Sequence, residues 1–300
     1  MGGNPVGADG PSLAAADEVL KTIANEHRLF ILMTLGDACT TGGYATLRFT
    51  DIWEGTELED SGRLNYHLQQ LVDTDYVASV EDGYHLTLRG LKAYQAVKAG
   101  FYAKDLEIPP FELEPTHDVC GEHLHASYRD QRVSIECRSC DDQLHQYPLP
   151  PGPFDETDAP EVAAAMNTRF TMDLCSMSQG FCPYCSGRVE LDVDHEHLDR
   201  LDTEGWNAPG LLFWCTHCHW FILSTIERPL LFQPPVMAFF AERGVNVWET
   251  PGWSDVFAAE DTVRSTDPLE VELTFTCADD AIDVVVDGSL DVLHTEMRRG

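Results

Sequence analysis

Apolar residues recur at helical spacing through the first quarter of the chain. Residues 26–35 and 60–74 each carry a stripe predicted to be buried, formed by Leu29, Ile31, Leu32 and Leu35 and by Leu64, Leu68, Leu71 and Val72. A first helix is predicted from a cap at Ser12 or Asp17 to about Asn25, and a short helix is predicted after a cap at Thr50. Asp60 or Ser61 can cap the longer helix that follows.

The apolar period changes from helical to alternating near residue 77. Val77–Val80 and Tyr84–Leu88 are predicted strands around Glu81-Asp82-Gly83, and Leu88–Ala103 is a predicted helix. Helices followed by a hairpin are typical of a winged helix-turn-helix domain, which lays one helix in a DNA major groove. This domain is predicted over residues 13–104. Residues 1–12 are small and polar and are predicted to be a disordered leader.

The remainder of the chain is divided by prolines and cysteines. Pro109-Pro110 is predicted to break the pattern and mark a domain boundary, and a cysteine-bearing segment follows over residues 112–147. Residues 154–300 are predicted to hold a helix over Ala159–Leu174, a second cysteine segment over 181–226 and a helix from Pro235 to about Arg243. Near the end, alternation on both sides of Ala278-Asp279-Asp280 predicts a β-hairpin.

The second cysteine segment has the spacing of a structural zinc site. Cys182-Pro183-Tyr184-Cys185 and Cys215-Thr216-His217-Cys218 are two CxxC knuckles with 29 residues between them. Four thiolates complete a tetrahedral site with no open position. Val189, Leu191 and Val193, with Leu211–Trp214, supply the strands of a zinc ribbon.

The first cysteine segment predicts a second zinc site of three cysteines and one histidine. Cys137 and Cys140 form a CxxC knuckle, and His117 and Cys120 are its predicted partners, with 16 residues between Cys120 and Cys137. His123 or His125 can replace His117, and a ribbon that has lost its metal is the alternative. The predicted fold class is α+β multidomain, with a winged helix-turn-helix, two small β zinc ribbons, intervening helices and a C-terminal β-hairpin.

The charge of the chain is strongly negative and unevenly distributed. The formal net charge is −32, and residues 1–104 hold 8 Lys+Arg and 14 Asp+Glu, against 11 and 37 in the remainder. Dispersed acid with few lysines is typical of a protein from the salty cytoplasm of a halophilic archaeon, where about 1 M salt screens self-repulsion beyond roughly 3 Å. An acidic interaction surface or a DNA mimic is the alternative.

The outer face of the helix over residues 60–74 carries side chains suited to DNA. Arginine can pair with guanine or phosphate, and asparagine and glutamine can pair with adenine edges. His67, beside Leu64 and Leu71, is interpreted as a half-buried packing residue. The candidate DNA contacts in this helix and the hairpin are Ser61, Arg63, Asn65, Tyr66, Gln69, Gln70, Gly83 and Tyr84.

About 75 residues resemble ArsR-type winged-helix repressors. The similar parts are LKTIANEHRLFILMTL and the run Asn65-Tyr66-His67-Leu68-Gln69-Gln70-Leu71 followed by Asp75-Tyr76-Val77. The resemblance implies sequence-specific binding of double-stranded DNA by a homodimer whose seam lies near Leu20–Ile23 and Leu91–Phe101. The chain departs from the founding members in their metal-sensing cysteines, because only Cys39 lies in this region, and one thiol cannot form a soft-metal site.

These features favour a cytoplasmic, non-enzymatic transcriptional regulator with a zinc-stabilised acidic C-terminal region that contacts a protein partner or a ligand. The first alternative is a basal transcription accessory factor, since a winged helix with a zinc ribbon resembles the alpha subunit of archaeal transcription factor E. The second is a zinc-dependent hydrolase, for which His195-Glu196-His197, His217 and His219 are the candidate groups. No signal peptide, membrane span or phosphate-binding loop is recognised.

Overall fold

The computed structural model of the protein describes residues 13–38, 43, 45–56, 60–102, 105–117, 119–152, 154–193 and 210–300. The chain forms two units, Met1–Lys104 with Pro150–Pro153, and Asp105–Leu149 with Phe154–Gly300. The fold is α+β, with helices and small antiparallel sheets. The predicted leader over residues 1–12 lies outside the described residues.

Five helices lie in the part of the first unit that the structure describes. They are α1 (Leu13–Ile23), α2 (Glu26–Asp37), α3 (Phe49–Glu54), α4 (Ser61–Asp73) and α5 (Leu88–Lys98). Asp60 caps α4 by accepting a hydrogen bond from Gly62 N at 2.9 Å. The predicted cap of α3 at Thr50 is wrong, because Asp51 accepts the backbone N–H of Arg48 at 3.1 Å and the helix begins at Phe49.

A hairpin completes the first unit. Strands β1 (Val77–Val80) and β2 (Gly83–Leu86) pair antiparallel, and Leu47 pairs with Tyr84 through two backbone hydrogen bonds of 2.9 Å. Thr87 ends β2 and caps α5 by accepting from Gly90 N. The core of this unit contains Ile31, Leu32, Leu35, Ile52, Leu64, Leu68, Leu71, Tyr76, Val77 and Leu86, so the predicted stripes on α2 and α4 face each other.

The described residues of the second unit form three antiparallel sheets. The first is β3 (Ile108–Thr116), β4 (His123–Arg129), β5 (Arg132–Cys137) and β6 (Asp142–Pro148). The next is β7 (Val189–Asp192), β8 (Gly210–Cys215) and β9 (Phe221–Thr225). The last is β10 (Ala259–Thr266), β11 (Leu269–Cys277), β12 (Asp280–Asp287) and β13 (Val292–Arg298). Its helices are α6 (Ala159–Ser178), α7 (Glu227–Leu230) and α8 (Pro234–Glu242).

One strand prediction in this unit is wrong, and another is confirmed and extended. Pro109-Pro110 does not end the pattern but lies inside β3, which is an edge strand with a register shift between Ile108 and Phe111. Proline lacks a backbone N–H, and an edge strand with an irregular register tolerates that loss. The predicted C-terminal hairpin is confirmed, because β11 and β12 pair antiparallel. It lies at the centre of a four-stranded sheet, flanked by β10 and β13, which are mostly exposed and lack a buried alternation.

One hydrophobic core runs through the second unit and joins both cysteine segments. Helix α6 buries Val162, Met166 and Leu174, and Phe240 makes edge-to-face contacts with Phe239, Phe257 and Phe275. Buried Asp173 accepts hydrogen bonds from Tyr147 Oη at 2.8 Å and from Arg169 Nε at 2.7 Å, which ties α6 to β6. No described helix of either unit has the length and the apolar sequence needed to cross a bilayer.

Candidate metal centres and a candidate DNA-facing helix

Four cysteine sulfurs converge beside the β7–β9 sheet. The Sγ atoms of Cys182, Cys185, Cys215 and Cys218 all lie within 4.8 Å of one another. Cys182 and Cys218 are 3.5 Å apart, as are Cys185 and Cys215, which is too long for a disulfide bond. A tetrahedron with metal–sulfur bonds of about 2.3 Å has edges of roughly 3.8 Å, so this group can hold a metal ion.

Backbone N–H groups point at the sulfurs of this centre. Cys215 Sγ accepts from the N–H groups of His217 at 3.4 Å and Cys218 at 3.5 Å. Burial raises the pKa of the Cys215 thiol, but these two N–H groups and the sulfurs of Cys185 and Cys218 together more than offset it and lower the pKa to about 6. Burial and the neighbouring sulfurs raise the pKa of Cys218 to about 12. A bound cation is therefore needed to keep all four sulfurs as thiolates.

Each CxxC-type turn is followed by a residue whose backbone has the left-handed conformation, with a positive φ. The residues directly after the second ligand of each turn are Gly121, Asp141, Ser186 and His219, with φ of 75°, 57°, 58° and 61°. Beyond Ser186, a Cβ on Gly187 would lie 3.1 Å from the sulfurs of both Cys185 and Cys215. The shared backbone turn indicates that both cysteine segments are built in the same way.

The second candidate centre combines His117, Cys120, Cys137 and Cys140, as the spacing predicts. Cys120 Sγ lies 3.5 Å from His117 Nδ1 and 3.4 Å from Cys137 Sγ. The alternative histidines lie elsewhere: His123 Nδ1 is 3.0 Å from the Leu113 carbonyl and His125 Nδ1 is 3.1 Å from the His123 carbonyl. The donor set in this group is therefore three sulfurs and one imidazole nitrogen.

Asp142 is a part of this centre that sequence reasoning missed. Its Oδ2 lies 3.7 Å from His117 Nε2, on the opposite side of the imidazole from Cys120. His117 is only 4% exposed, so a carboxylate at this position can orient the ring toward the sulfurs. The only signal in the sequence is an acidic residue two positions after Cys140.

The remaining candidate metal or catalytic groups that the structure describes are not part of these two centres. Cys175 lies on α6, where burial raises the pKa of its thiol, and the ring of His219 stacks on that of Trp214 with centroids 6.3 Å apart. Cys39 and His195-Glu196-His197 lie outside the described residues.

Helix α4 separates a buried face from an exposed one. Leu64, Leu68 and Leu71 are buried, and His67 is buried rather than half-buried, with its ring 5.1 Å from that of His27. Gln70 is half-buried, and Gln69 Nε2 donates to Asp73 Oδ1 at 2.7 Å. The exposed predicted DNA contacts on this helix are Ser61, Arg63, Asn65, Tyr66 and Gln69.

The hairpin holds its two predicted DNA contacts against Leu47. Gly83 and Tyr84 are half-buried, and a Cβ on Gly83 would lie 2.2 Å from the Leu47 carbonyl oxygen. Exposed Glu81 and Asp82 occupy the turn. The hairpin tip thus presents two carboxylates rather than the predicted glycine and tyrosine.

Two family models match the chain. One, described as Domain of unknown function (DUF7347), matches residues 16–97, and the other, described as Domain of unknown function (DUF7351), matches residues 118–292. No curated protein and no solved structure matches. The second model covers more than half of the chain and every cysteine of the two candidate metal centres, and it begins one residue after His117; the protein therefore belongs to the family described as Domain of unknown function (DUF7351).

Proposed function

We propose that the protein is a DNA-binding transcriptional regulator whose first unit is a winged helix-turn-helix domain. Helices α2, α3 and α4 share one core, and the β1–β2 hairpin follows α4 directly. This element order is the one in which the helix before the hairpin enters the major groove. Helix α4 is the reading helix in this proposal, and the acidic hairpin tip lies away from the phosphates.

The observation that carries the proposal is that the exposed face of α4 is free of acidic residues from Ser61 to Gln70. Acidic residues make up 51 of the 300 residues, yet none occurs between Ser61 and Gln70. Over that span the exposed face carries Arg63, Asn65 and Tyr66, and the helix N-terminus adds partial positive charge. Such a face avoids repulsion from phosphates and offers donors to base edges.

Replacing Arg63 with alanine should weaken binding to selected DNA about 10- to 100-fold, the effect expected when a bidentate base contact worth roughly 1–3 kcal/mol is lost. The measurement starts with selection of duplexes from a randomised library by the full-length protein in about 1 M KCl. Fluorescence anisotropy then compares variants on the enriched duplex.

Arg264→Ala is the matched control for this experiment. Arg264 lies on β10 in the second unit and pairs with Glu272, so its loss removes the same charge without altering α4. Equal losses for Arg63→Ala and Arg264→Ala would contradict base reading by α4. Failure to enrich any duplex, with co-purification of RNA polymerase, would favour a basal accessory factor instead.

Dimerisation through α1 and the end of α5 is part of the same proposal. Leu13 and Leu20 on α1 are 76% and 60% exposed, and Phe101, just after α5, is 46% exposed. Exposed apolar residues of this size are typical of surfaces that become buried on association. A two-fold dimer would present two copies of α4 to a palindromic operator.

We also propose that both cysteine centres hold zinc. Tetrahedral sets of four sulfurs, or of three sulfurs and one imidazole, are the ligand sets of structural zinc sites. Neither set leaves an open position for substrate, which favours a structural rather than a catalytic role.

Asp142→Asn should weaken zinc binding at the His117 centre about 10- to 100-fold, because the carboxylate that orients His117 becomes a neutral amide. Competition with a chromophoric chelator on the metal-loaded full chain measures this affinity. Asp141→Asn is the control, since it makes the same change at the adjacent, exposed residue. Asp141 has a left-handed backbone conformation, which asparagine also adopts readily. If both variants release zinc equally, Asp142 has no orienting role.

A further inference from the structure

A cavity of about 350 Å³ lies within the second unit. Apolar and aromatic side chains form much of its wall, among them buried Leu124, Phe170 and Phe257. This size and lining are those of small-molecule sites, which combine apolar walls with a few polar groups that fix orientation. None of the cavity's described lining is needed for the proposed contact with DNA.

Arg228 on α7 is the only lysine or arginine that lines this cavity among the described residues. Loss of surrounding water lowers the pKa of its guanidinium, and the charge on Glu227 opposes that shift. The described residues supply no ion-pair or hydrogen-bond partner for the guanidinium. The neighbouring carboxylate of Glu227 accepts a hydrogen bond from Thr225. A half-buried, unpaired guanidinium is costly unless an acceptor joins it.

The backbone holds Arg228 in place from one side. Gly252 N donates to Asn167 Oδ1 at 2.7 Å, and Asn167 is only 5% exposed. A Cβ on Gly252 would lie 2.9 Å from Arg228 Nη1, so glycine permits this close approach. The guanidinium is therefore confined by Gly252 where it lines the cavity.

Trp253 and His145 are among the further polar residues that line the same cavity. Trp253 Nε1 is buried and has no hydrogen-bond partner among the described residues, and an unpaired buried donor calls for an acceptor. The ring of His145 packs edge-to-face on Phe170 with centroids 4.3 Å apart. Burial and the nearby Arg228 lower the pKa of His145 to about 3, so the imidazole stays neutral. The cavity thus offers one fixed positive charge and neutral donors beside aromatic walls.

We propose that this cavity binds a small organic monocarboxylate with a planar apolar body. The carboxylate pairs with Arg228, and the body packs against Phe170 and Phe257. A monoanion fits better than a phosphate dianion, because Asp142, Glu227 and Asp255 also line the cavity and repel added negative charge. The bound carboxylate supplies the partner that Arg228 lacks.

The test uses benzoate, benzamide and phenyl phosphate as probes with the metal-loaded full chain in about 1 M KCl. The fluorescence of Trp253 is taken as the difference between the wild type and Trp253→Phe. Adding benzoate should change this fluorescence, and the change should reach saturation. Arg228→Gln should weaken benzoate binding at least about tenfold, as expected when a charge-assisted hydrogen bond is lost, and should remove the preference for benzoate over benzamide. Phenyl phosphate should bind more weakly than benzoate.

Arg264→Gln is the matched control, because Arg264 pairs with Glu272 on the C-terminal sheet and does not line the cavity. Gly252→Ala is a second variant, which crowds Arg228 Nη1 without removing its charge and should also weaken benzoate binding. Unchanged circular dichroism and metal content show that each variant is folded. Equal binding of benzoate and benzamide, equal effects of Arg228→Gln and Arg264→Gln, or no saturation below about 10 mM benzoate would overturn the proposal.

Discussion

Replacing Cys215 with serine should remove one of the two metal ions proposed for the chain and open the β7–β9 sheet. Cys215 is the fully buried sulfur of its centre and ends β8, so its loss breaks a ligand and exposes three thiolates to mutual repulsion. Zinc bound by isolated knuckle peptides contributes about 10–16 kcal/mol of binding free energy. Even a third of that value corresponds to a loss of roughly 3–5 kcal/mol in the free energy of unfolding.

Three measurements separate local from global failure in Cys215→Ser. Elemental analysis counts the metal, hydrogen exchange follows amides in β8 and β9, and urea unfolding gives the stability of the whole chain. Cys277→Ser is the control, because Cys277 is a half-buried thiol in β11 that belongs to neither centre. Retention of both metal ions by Cys215→Ser, or equal metal loss in the control, would contradict the assignment.

Ligand spacing predicted the metal centres because the chemistry is local. A CxxC turn places two sulfurs within reach of one ion whatever surrounds it, so Cys182, Cys185, Cys137 and Cys140 could be assigned from spacing alone. The choice of His117 over His123 and His125 required the structure, since β4 directs the latter two toward backbone carbonyls. Asp142 lies beside the imidazole of His117, which is 25 positions earlier in the chain. The spacing of the metal ligands does not predict this contact.

Helices and central strands were predicted because each buries one periodic face. Strands β11 and β12 alternate and are buried on one side, whereas β10 and β13 are defined only by hydrogen bonding to them. The cavity around Arg228 was not predicted, because residues from separate sheets, α6, α7 and the segment near Trp253 meet there. Such a site depends on tertiary packing, which a single sequence does not reveal.

Replacing Gly83 with alanine should destabilise the first unit by about 3–5 kcal/mol, the sum expected from backbone strain and from overpacking against a rigid atom. Gly83 has a φ of +143°, which side-chain-bearing residues rarely adopt, and an added Cβ would lie 2.2 Å from the Leu47 carbonyl oxygen. That oxygen accepts from Tyr84 N, so relief of the clash breaks the pairing that holds the hairpin to the segment before α3. The rate of amide hydrogen exchange in α2 and α4 measures this loss of stability.

Gly43→Ala separates strain from the clash. Gly43 also has a positive φ, of +119°, but no described residue lies within 4 Å of its added Cβ, so this variant should cost only about 1–2 kcal/mol. Amides of β11 and β12 should stay protected in both variants, because those strands lie in the core of the second unit. If Gly83→Ala proves no more damaging than Gly43→Ala, the contact with Leu47 does not fix the hairpin. The acidic turn would then be free to move, and the exposed face of α4 would have to bind DNA without a positioned hairpin beside it.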